Sequence, residues 1–226
     1  MTQITTMQDT NSVLSQLYFD ESLETTKHQD NMSILVHSLE EAWKYLDDFY
    51  ILGNMFMYYN PNTLKYKDLR GPDFFLVNEI YNDFDSKSWV IWEENWNSPD
   101  LIIELLSNTN NELNLKSKKE LYEQVFRAKE YFIFDPNNPS NFQGWQLNQE
   151  NVYIELNKNN HGWLWSDVLK CWLGLWNGVI KEKTDIWLRF YDANHKLILL
   201  PSEIEQQEKE FLTLGILELE ALSKDS

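Results

Sequence analysis

The sequence predicts a mixed α/β domain: a sheet core flanked by helices, then C-terminal β-hairpins and a terminal helix. Three observations carry that expectation. Residues 99–136 read as strand, polar bend, helix and strand, the pattern of a crossover between parallel strands. Strand-like runs between about 54 and 106 are bracketed by amphipathic helical patterns. After Pro136 the texture changes to short aromatic strands separated by turn residues.

Taken in order, Met1 to Asp30 is polar with scattered Leu and reads as a poorly ordered arm. Residues 31–200 then form the domain, and 201–226 a terminal helix. Met32 to Leu52 reads as helix, because Ile34, Leu35, Leu39, Ala42, Trp43, Leu46 and Phe49 recur at helical spacing. Asn54 to Tyr59 reads as a first strand, ended by the Asn60-Pro61-Asn62 turn and a charged loop, Lys65 to Arg70. Gly71-Pro72 enforces a bend, and Asp73 opens an apolar strand through Val77. Trp89 to Glu94 is the next strand.

Leu101 to Leu106 is apolar on both faces except for Glu104, as in a strand covered on both sides. Ser107 or Asn108 is a candidate cap for a helix carrying Leu115, Leu121, Tyr122, Val125 and Phe126. Tyr131 to Phe134 is a second apolar strand, stopped by Asp135-Pro136. Further strands are expected at Gly144–Leu147 and Val152–Leu156, in the aromatic run Gly162–Trp176, and on either side of an Asp192–His195 hairpin turn. Pro201 and the Ser202–Glu205 capping-box spacing start the last helix, whose Phe211, Leu212, Leu214, Leu217, Leu219 and Leu222 predict packing or dimerisation.

Composition narrows the function classes. The chain has 226 residues, 42% of them hydrophobic, and 10 Trp, enough for a sizeable core. With only 7 Gly and no phosphate-loop or dinucleotide fingerprint, nucleotide-loop chemistry is disfavoured. The one cysteine, Cys171, excludes an internal disulfide framework and a thiolate zinc cluster, fits a reducing cytoplasm, and reads as a core residue. No apolar run is long enough to span a bilayer, and the polar, acidic start is not expected to act as a secretion signal. A net charge of −17 opposes phosphate backbones at long range, so contact with nucleic acid calls for a local basic patch or bridging cations. The Trp–Leu alternation favours core packing over a base-stacking platform, and His28, His37, His161 and His195 show no ligand spacing.

Glu104 is the residue that asks for an explanation. An ionised carboxylate among Ile and Leu is costly unless paired or metal-bound. Its spacing leaves open a pair with Lys116, Lys118 or Lys119, a reach to solvent, or a site role. Asp73, Glu104 and Lys118 together have the composition that metal-assisted phosphodiester hydrolysis needs: oxygen ligands for Mg²⁺ and an amine for the attacking water or developing charge.

The runs Arg70-Gly71-Pro72-Asp73-Phe74-Phe75-Leu76-Val77, Trp89–Glu94, Ile102-Ile103-Glu104-Leu105-Leu106-Ser107, Lys118-Lys119-Glu120-Leu121-Tyr122 and Phe126–Pro136 resemble the Uma-two family. These are restriction-endonuclease-like proteins of the PD-(D/E)XK nuclease superfamily. The likeness continues through Phe142–Leu147 and Gly162–Ser166 to the C-terminal helix. It implies a restriction-endonuclease-like mixed sheet core and a divalent-metal site. The family's Pro-Asp aspartate matches Asp73, its strand glutamate Glu104, and its helix lysine, four residues before a tyrosine, Lys118.

Leu106 occupies the position where the wider superfamily carries its lysine, and Asn114 stands where relatives often carry Asp. Asp100, four residues before Glu104, is a further candidate ligand. The expectation is a Mg²⁺- or Mn²⁺-dependent endonuclease on DNA leaving 5′-phosphates, with Asp73 and Glu104 on the metal. The alternative is a catalytically silent nuclease-like fold acting as a binding or oligomerisation module, for example a homodimer through the last helix.

Overall fold

The structure is a computed structural model that describes residues 26–46, 48–59, 69–78, 88–91, 93–94, 97–107 and 112–224. Helix α1 spans Thr26–Ala42, and strand β1 covers Phe49–Gly53. Three short strands, β2 (Phe56–Tyr58), β3 (Leu69–Arg70) and β5 (Ser88–Val90), form a small sheet of their own. The main sheet has the order β1-β4-β6-β7-β8-β9. Its other strands are β4 (Phe74–Asn78), β6 (Leu101–Leu105), β7 (Glu130–Phe134), β8 (Phe142–Leu147) and β9 (Tyr153–Glu155). Within the main sheet β6 and β7 pair in parallel and the other neighbouring pairs antiparallel; the helix between β6 and β7 is α2 (Glu112–Leu121), prolonged by a π-helical turn at Tyr122–Phe126. The predicted crossover is therefore present.

Alternation along the strands decides the packing, because successive side chains of a strand point to opposite faces. Phe74, Leu76, Leu101, Ile103, Leu105, Phe132 and Phe134 share one core with Leu35 and Leu39 of α1. That core also takes Leu173, Leu188 and Phe190 of a second, antiparallel sheet made of β10 (Leu164–Ser166), β11 (Cys171–Ile180) and β12 (Lys183–Tyr191). Phe75, Val77, Ile102, Tyr131 and Ile133 form the opposite core with Met57, Trp89, Tyr122 and Phe126. Each face is thus covered, as the apolar run around Glu104 requires. Gly144 permits the close approach: a Cβ there would sit 2.5 Å from the Phe132 ring.

The expected helix over 32–52 is corrected at both ends. It begins at Thr26, so residues 26–30 of the expected arm are helical, and it stops at Ala42. Asp30, the end of the expected arm, is buried and paired with Lys181 (3.0 Å) and Lys183 (2.7 Å) of the β11–β12 hairpin. Burial alone would raise its carboxyl; the Lys183 and Lys181 ammonium groups reverse that and hold it below its usual range. Phe49–Gly53 instead pairs antiparallel with β4, since Phe-Tyr-Ile-Leu suits a pleated surface better than a helix. Trp43 still meets Phe49 edge-on at 4.9 Å, the contact whose spacing mimics a helical stripe.

The Trp89–Glu94 strand shortens to β5, with turn residues after it. At Asp192–His195 the expected hairpin reduces to one Tyr191–Leu197 bridge. The long hairpin turns instead at Lys181–Glu182, both with positive φ (49° and 64°), as a two-residue primed turn demands. Residues 1–25, the Asn60–Asn62 turn, most of the Lys65–Arg70 loop and Asn108 lie outside the described residues.

The last helix, α3 (Pro201–Lys224), starts one step earlier than its capping signal suggested. Glu203, not Glu205, reaches back, accepting the Leu200 N–H at 2.7 Å. The same carboxylate takes two bonds from Arg189, at 3.1 and 2.6 Å, and Arg189 is wholly buried in β12. No helix among the described residues is long and apolar enough to cross a membrane.

Candidate active site

Asp73 sits immediately before β4, where the antiparallel register with β6 (Phe74 opposite Ile103) carries it opposite Glu104. Two residues 31 positions apart in sequence therefore meet on one face of adjacent strands. Asp73 is 7% exposed. Its Oδ2 accepts the Leu105 N–H at 2.7 Å, and its Oδ1 meets His28 Nε2 at 2.8 Å. Glu104 is 1% exposed. Lys118 donates to its Oε2 at 2.8 Å and the Tyr122 hydroxyl to its Oε1 at 2.5 Å. Lys118 and Tyr122 stand four residues apart across the junction of α2 and the π-helical turn, so one helical face grips both oxygens.

The three sequence-predicted residues, Asp73, Glu104 and Lys118, are thus brought together, and Lys118 is the lysine that pairs with Glu104. Lys119 turns elsewhere, its ammonium 4.0 Å over the Trp145 ring. Asp100 does not join them. Four residues separate it from Glu104 along an extended chain, about 13 Å. Its own oxygens take the Asn78 N–H (2.8 Å) and the Lys129 ammonium (2.6 Å).

Burial raises the Glu104 carboxyl above its usual range; the Lys118 charge opposes that shift and the neighbouring Asp73 adds to it. Burial, then Glu104 itself, pushes the Tyr122 hydroxyl well up, so it stays protonated and donates.

Do these residues fit a cation? Each of the four carboxylate oxygens accepts one hydrogen bond and has a further acceptor position. The pair is hard oxygen ligation of the kind Mg²⁺ takes when waters and phosphate oxygens complete its sphere. Among the described residues no three His, Cys, Asp or Glu side chains are grouped to hold a metal ion. The fit is therefore to a carboxylate pair and not to a protein cage.

Two buried polar residues are not singled out by the sequence, His28 in this neighbourhood and Glu130 on the opposite face of the sheet. His28 fell in the stretch taken as an arm, though His28, Asn31, Leu35 and Leu39 repeat at helical spacing and all are buried. Glu130, at the start of β7, is wholly buried and accepts the Ser166 hydroxyl and the Asp167 N–H (2.6 Å), clasping the β10–β11 turn to the main sheet. Nothing in its spacing distinguishes it from a surface glutamate after Lys129. His161 and His195, scattered in sequence, bring their rings to 5.5 Å beside Trp163. Trp163 itself stacks on Tyr191 at 3.8 Å and Trp165 meets Trp172 edge-on at 5.1 Å, so these tryptophans pack against neighbouring rings.

Residues 17–175 match the model of the Uma2 family, described as "Putative restriction endonuclease". The match ends inside β11, so β12 and α3 lie beyond it. No curated protein matches the chain. Among solved structures it is similar to "a putative nuclease belonging to DUF820" from Anabaena variabilis, at 12% identity and a TM-score of 0.48, covering 65% of this chain and 75% of that one.

Proposed function

The chain belongs to the Uma2 family of restriction-endonuclease-like fold, and from that premise we propose that it is a divalent-metal-dependent endonuclease acting on DNA. One observation carries the reading: Asp73 and Glu104, from different strands, converge with Lys118 in a buried setting. Asp73 and Glu104 would hold Mg²⁺ or Mn²⁺, which when bound lowers the pKa of a water and offsets phosphate charge. Lys118 supplies the amine beside that position, where it orients the attacking water and counters charge building on the scissile phosphate. His28 and the Leu105 N–H fix the Asp73 carboxylate, and Tyr122 fixes Glu104. The net charge of −17 makes a cation between protein and phosphate the natural bridge to a polyanion.

Plasmid and single-stranded DNA incubated with the protein and Mg²⁺ or Mn²⁺ are expected to be cut to 5′-phosphate ends, and chelation to stop it. In calorimetric titration Mn²⁺ is expected to find a site that Asp73→Asn abolishes. Absence of cleavage of any nucleic acid with either metal defeats the proposal.

A second reading rests on α3. Phe211, Leu212, Leu214, Ile216 and Leu217 are 55–77% exposed, an apolar surface that solvent alone does not explain. A second copy of the chain laid along this helix would cover it, whether or not the carboxylate site turns over. Light scattering is expected to report a dimer that Leu212→Glu with Leu217→Glu converts to monomer; a wild-type monomer at high micromolar concentration removes this reading.

A further inference from the structure

The core facing Glu104 holds three tyrosines side by side, and their hydroxyls are treated differently. Tyr122 donates to Glu104, and Tyr153 donates to the Ala128 carbonyl at 2.9 Å. The Tyr131 hydroxyl is buried and has no hydrogen-bond partner among the described residues, although the residue is 1% exposed. Such a group normally finds a partner, and leaving it bare is destabilising.

Two facts say where the missing partner belongs. In the β6–β7 register Ile102 faces Tyr131 and Glu104 faces Ile133, so Tyr131 shares the Glu104 face, one pair further along. The negative charges of Glu104 and Asp73 both bear on its hydroxyl, after burial, in holding it protonated. The ring cannot swing away to find solvent. Tyr122 packs against it edge-on at 5.3 Å, and Trp145 and Tyr153 stack on it at 5.5 and 6.1 Å. A clamped donor therefore shares the sheet face of the carboxylate pair, with no acceptor for its hydrogen bond among the described residues.

Resting on the nuclease reading above, we infer that Tyr131 is a ligand-contacting residue of that site, its hydroxyl donating to an oxygen bound between Asp73 and Glu104. That oxygen belongs either to a water of the hydrated cation or to a phosphate. The family's two-carboxylate-plus-lysine pattern does not contain this residue. The contact adds a neutral donor to a site otherwise made of charges, so it recognises an oxygen without altering the site's net charge.

The test is Tyr131→Phe, which removes one oxygen atom and leaves the aromatic stack. Mn²⁺ affinity of the full chain is read by calorimetry, alone and with inorganic phosphate, and thermal midpoints are read without metal. Tyr153→Phe is the control. Tyr131→Phe is expected to keep or raise the midpoint, because an unsatisfied buried group is lost, whereas Tyr153→Phe lowers it.

Tyr131→Phe is also expected to weaken binding roughly tenfold, at the low end of what removal of an outer contact to a metal site costs. Weakening with Mn²⁺ alone assigns the oxygen to water; weakening only of the phosphate-dependent binding assigns it to phosphate. Equal binding by wild type and Tyr131→Phe in both arms overturns the inference and leaves the nuclease reading standing. A lowered midpoint in Tyr131→Phe also overturns it, since the hydroxyl then has a partner in the protein. A wild type with no Mn²⁺ site removes the nuclease reading, and this inference with it.

Discussion

Glu104→Gln is expected to lower the rate of DNA cleavage by roughly 10³-fold, the scale on which loss of one preorganised electrostatic group reduces turnover, and to remove Mn²⁺ binding. The fold should survive, and the sign follows from titration. In the folded chain the Glu104 carboxyl is raised above its usual 4.5, so the native state holds its proton more tightly than the unfolded one. Stability then falls as pH rises from about 4.5 through the folded value, and above that window the ionised group is a net burden. A neutral amide of the same shape escapes the burden. Its oxygen still accepts from Tyr122, and Lys118, whose side chain is 20% exposed, can turn its ammonium to water. The mutant's thermal midpoint is therefore expected at or above wild type near neutral pH, with the gap closing in acid. Unchanged cleavage would take Glu104 out of the chemistry; a large loss of stability would make it a structural ion pair.

Glu203→Ala is expected to be the most destabilising of these substitutions. It strands the Arg189 guanidinium, which is wholly buried, and deletes the acceptor for the Leu200 N–H at the start of α3. Removing one partner of a buried pair costs about 3–5 kcal/mol. In a domain of this size that corresponds to a drop of about 10 °C in the thermal midpoint. The Ile198 carbonyl, 3.0 Å from Arg189 Nη2, is a neutral acceptor and does not replace the charge. Replacing both partners, Arg189→Met with Glu203→Leu, should recover much of the loss, because no buried charge is then left unpaired, although the Leu200 N–H still loses its acceptor. Urea unfolding of the single and double variants measures both effects; a loss below about 1 kcal/mol for Glu203→Ala would mean that solvent already shields Arg189.

The strand–helix–strand around Glu104 was legible because its signals agree. A two-faced apolar run, a helical stripe and a second apolar run admit few arrangements. Spacing alone did not single out Lys118 from Lys116 or Lys119 as the partner of Glu104, because three lysines within four positions differ only by the helix face each occupies; the resemblance to the family's helix lysine pointed to Lys118. Lys118 shares its face with Tyr122 across the start of the π-helical turn, and the two grip one carboxylate. His28 and Asp30 were missed for another reason. Polar residues in a polar stretch read as solvated, and their partners, Asp73 and the Lys181–Lys183 hairpin, lie 45 and more than 150 residues away. No local pattern reports such distances. The β1 strand was mistaken for helix because Trp43, Leu46 and Phe49 keep a helical interval while the chain reverses between them.

The hairpin that pins α1 has a consequence for synthesis. Every side chain proposed for the chemistry has been made once Tyr131 is polymerised, yet α1 is tied down by Asp30 to Lys181 and Lys183, by Lys27 to Asp185, and by Asn31 to the Leu188 N–H. A nascent chain shorter than about 190 residues lacks the anchor that presents His28 to Asp73. The growing polypeptide would therefore carry its whole chemical complement while still unassembled, and competence would arrive only as β12 clears the ribosome.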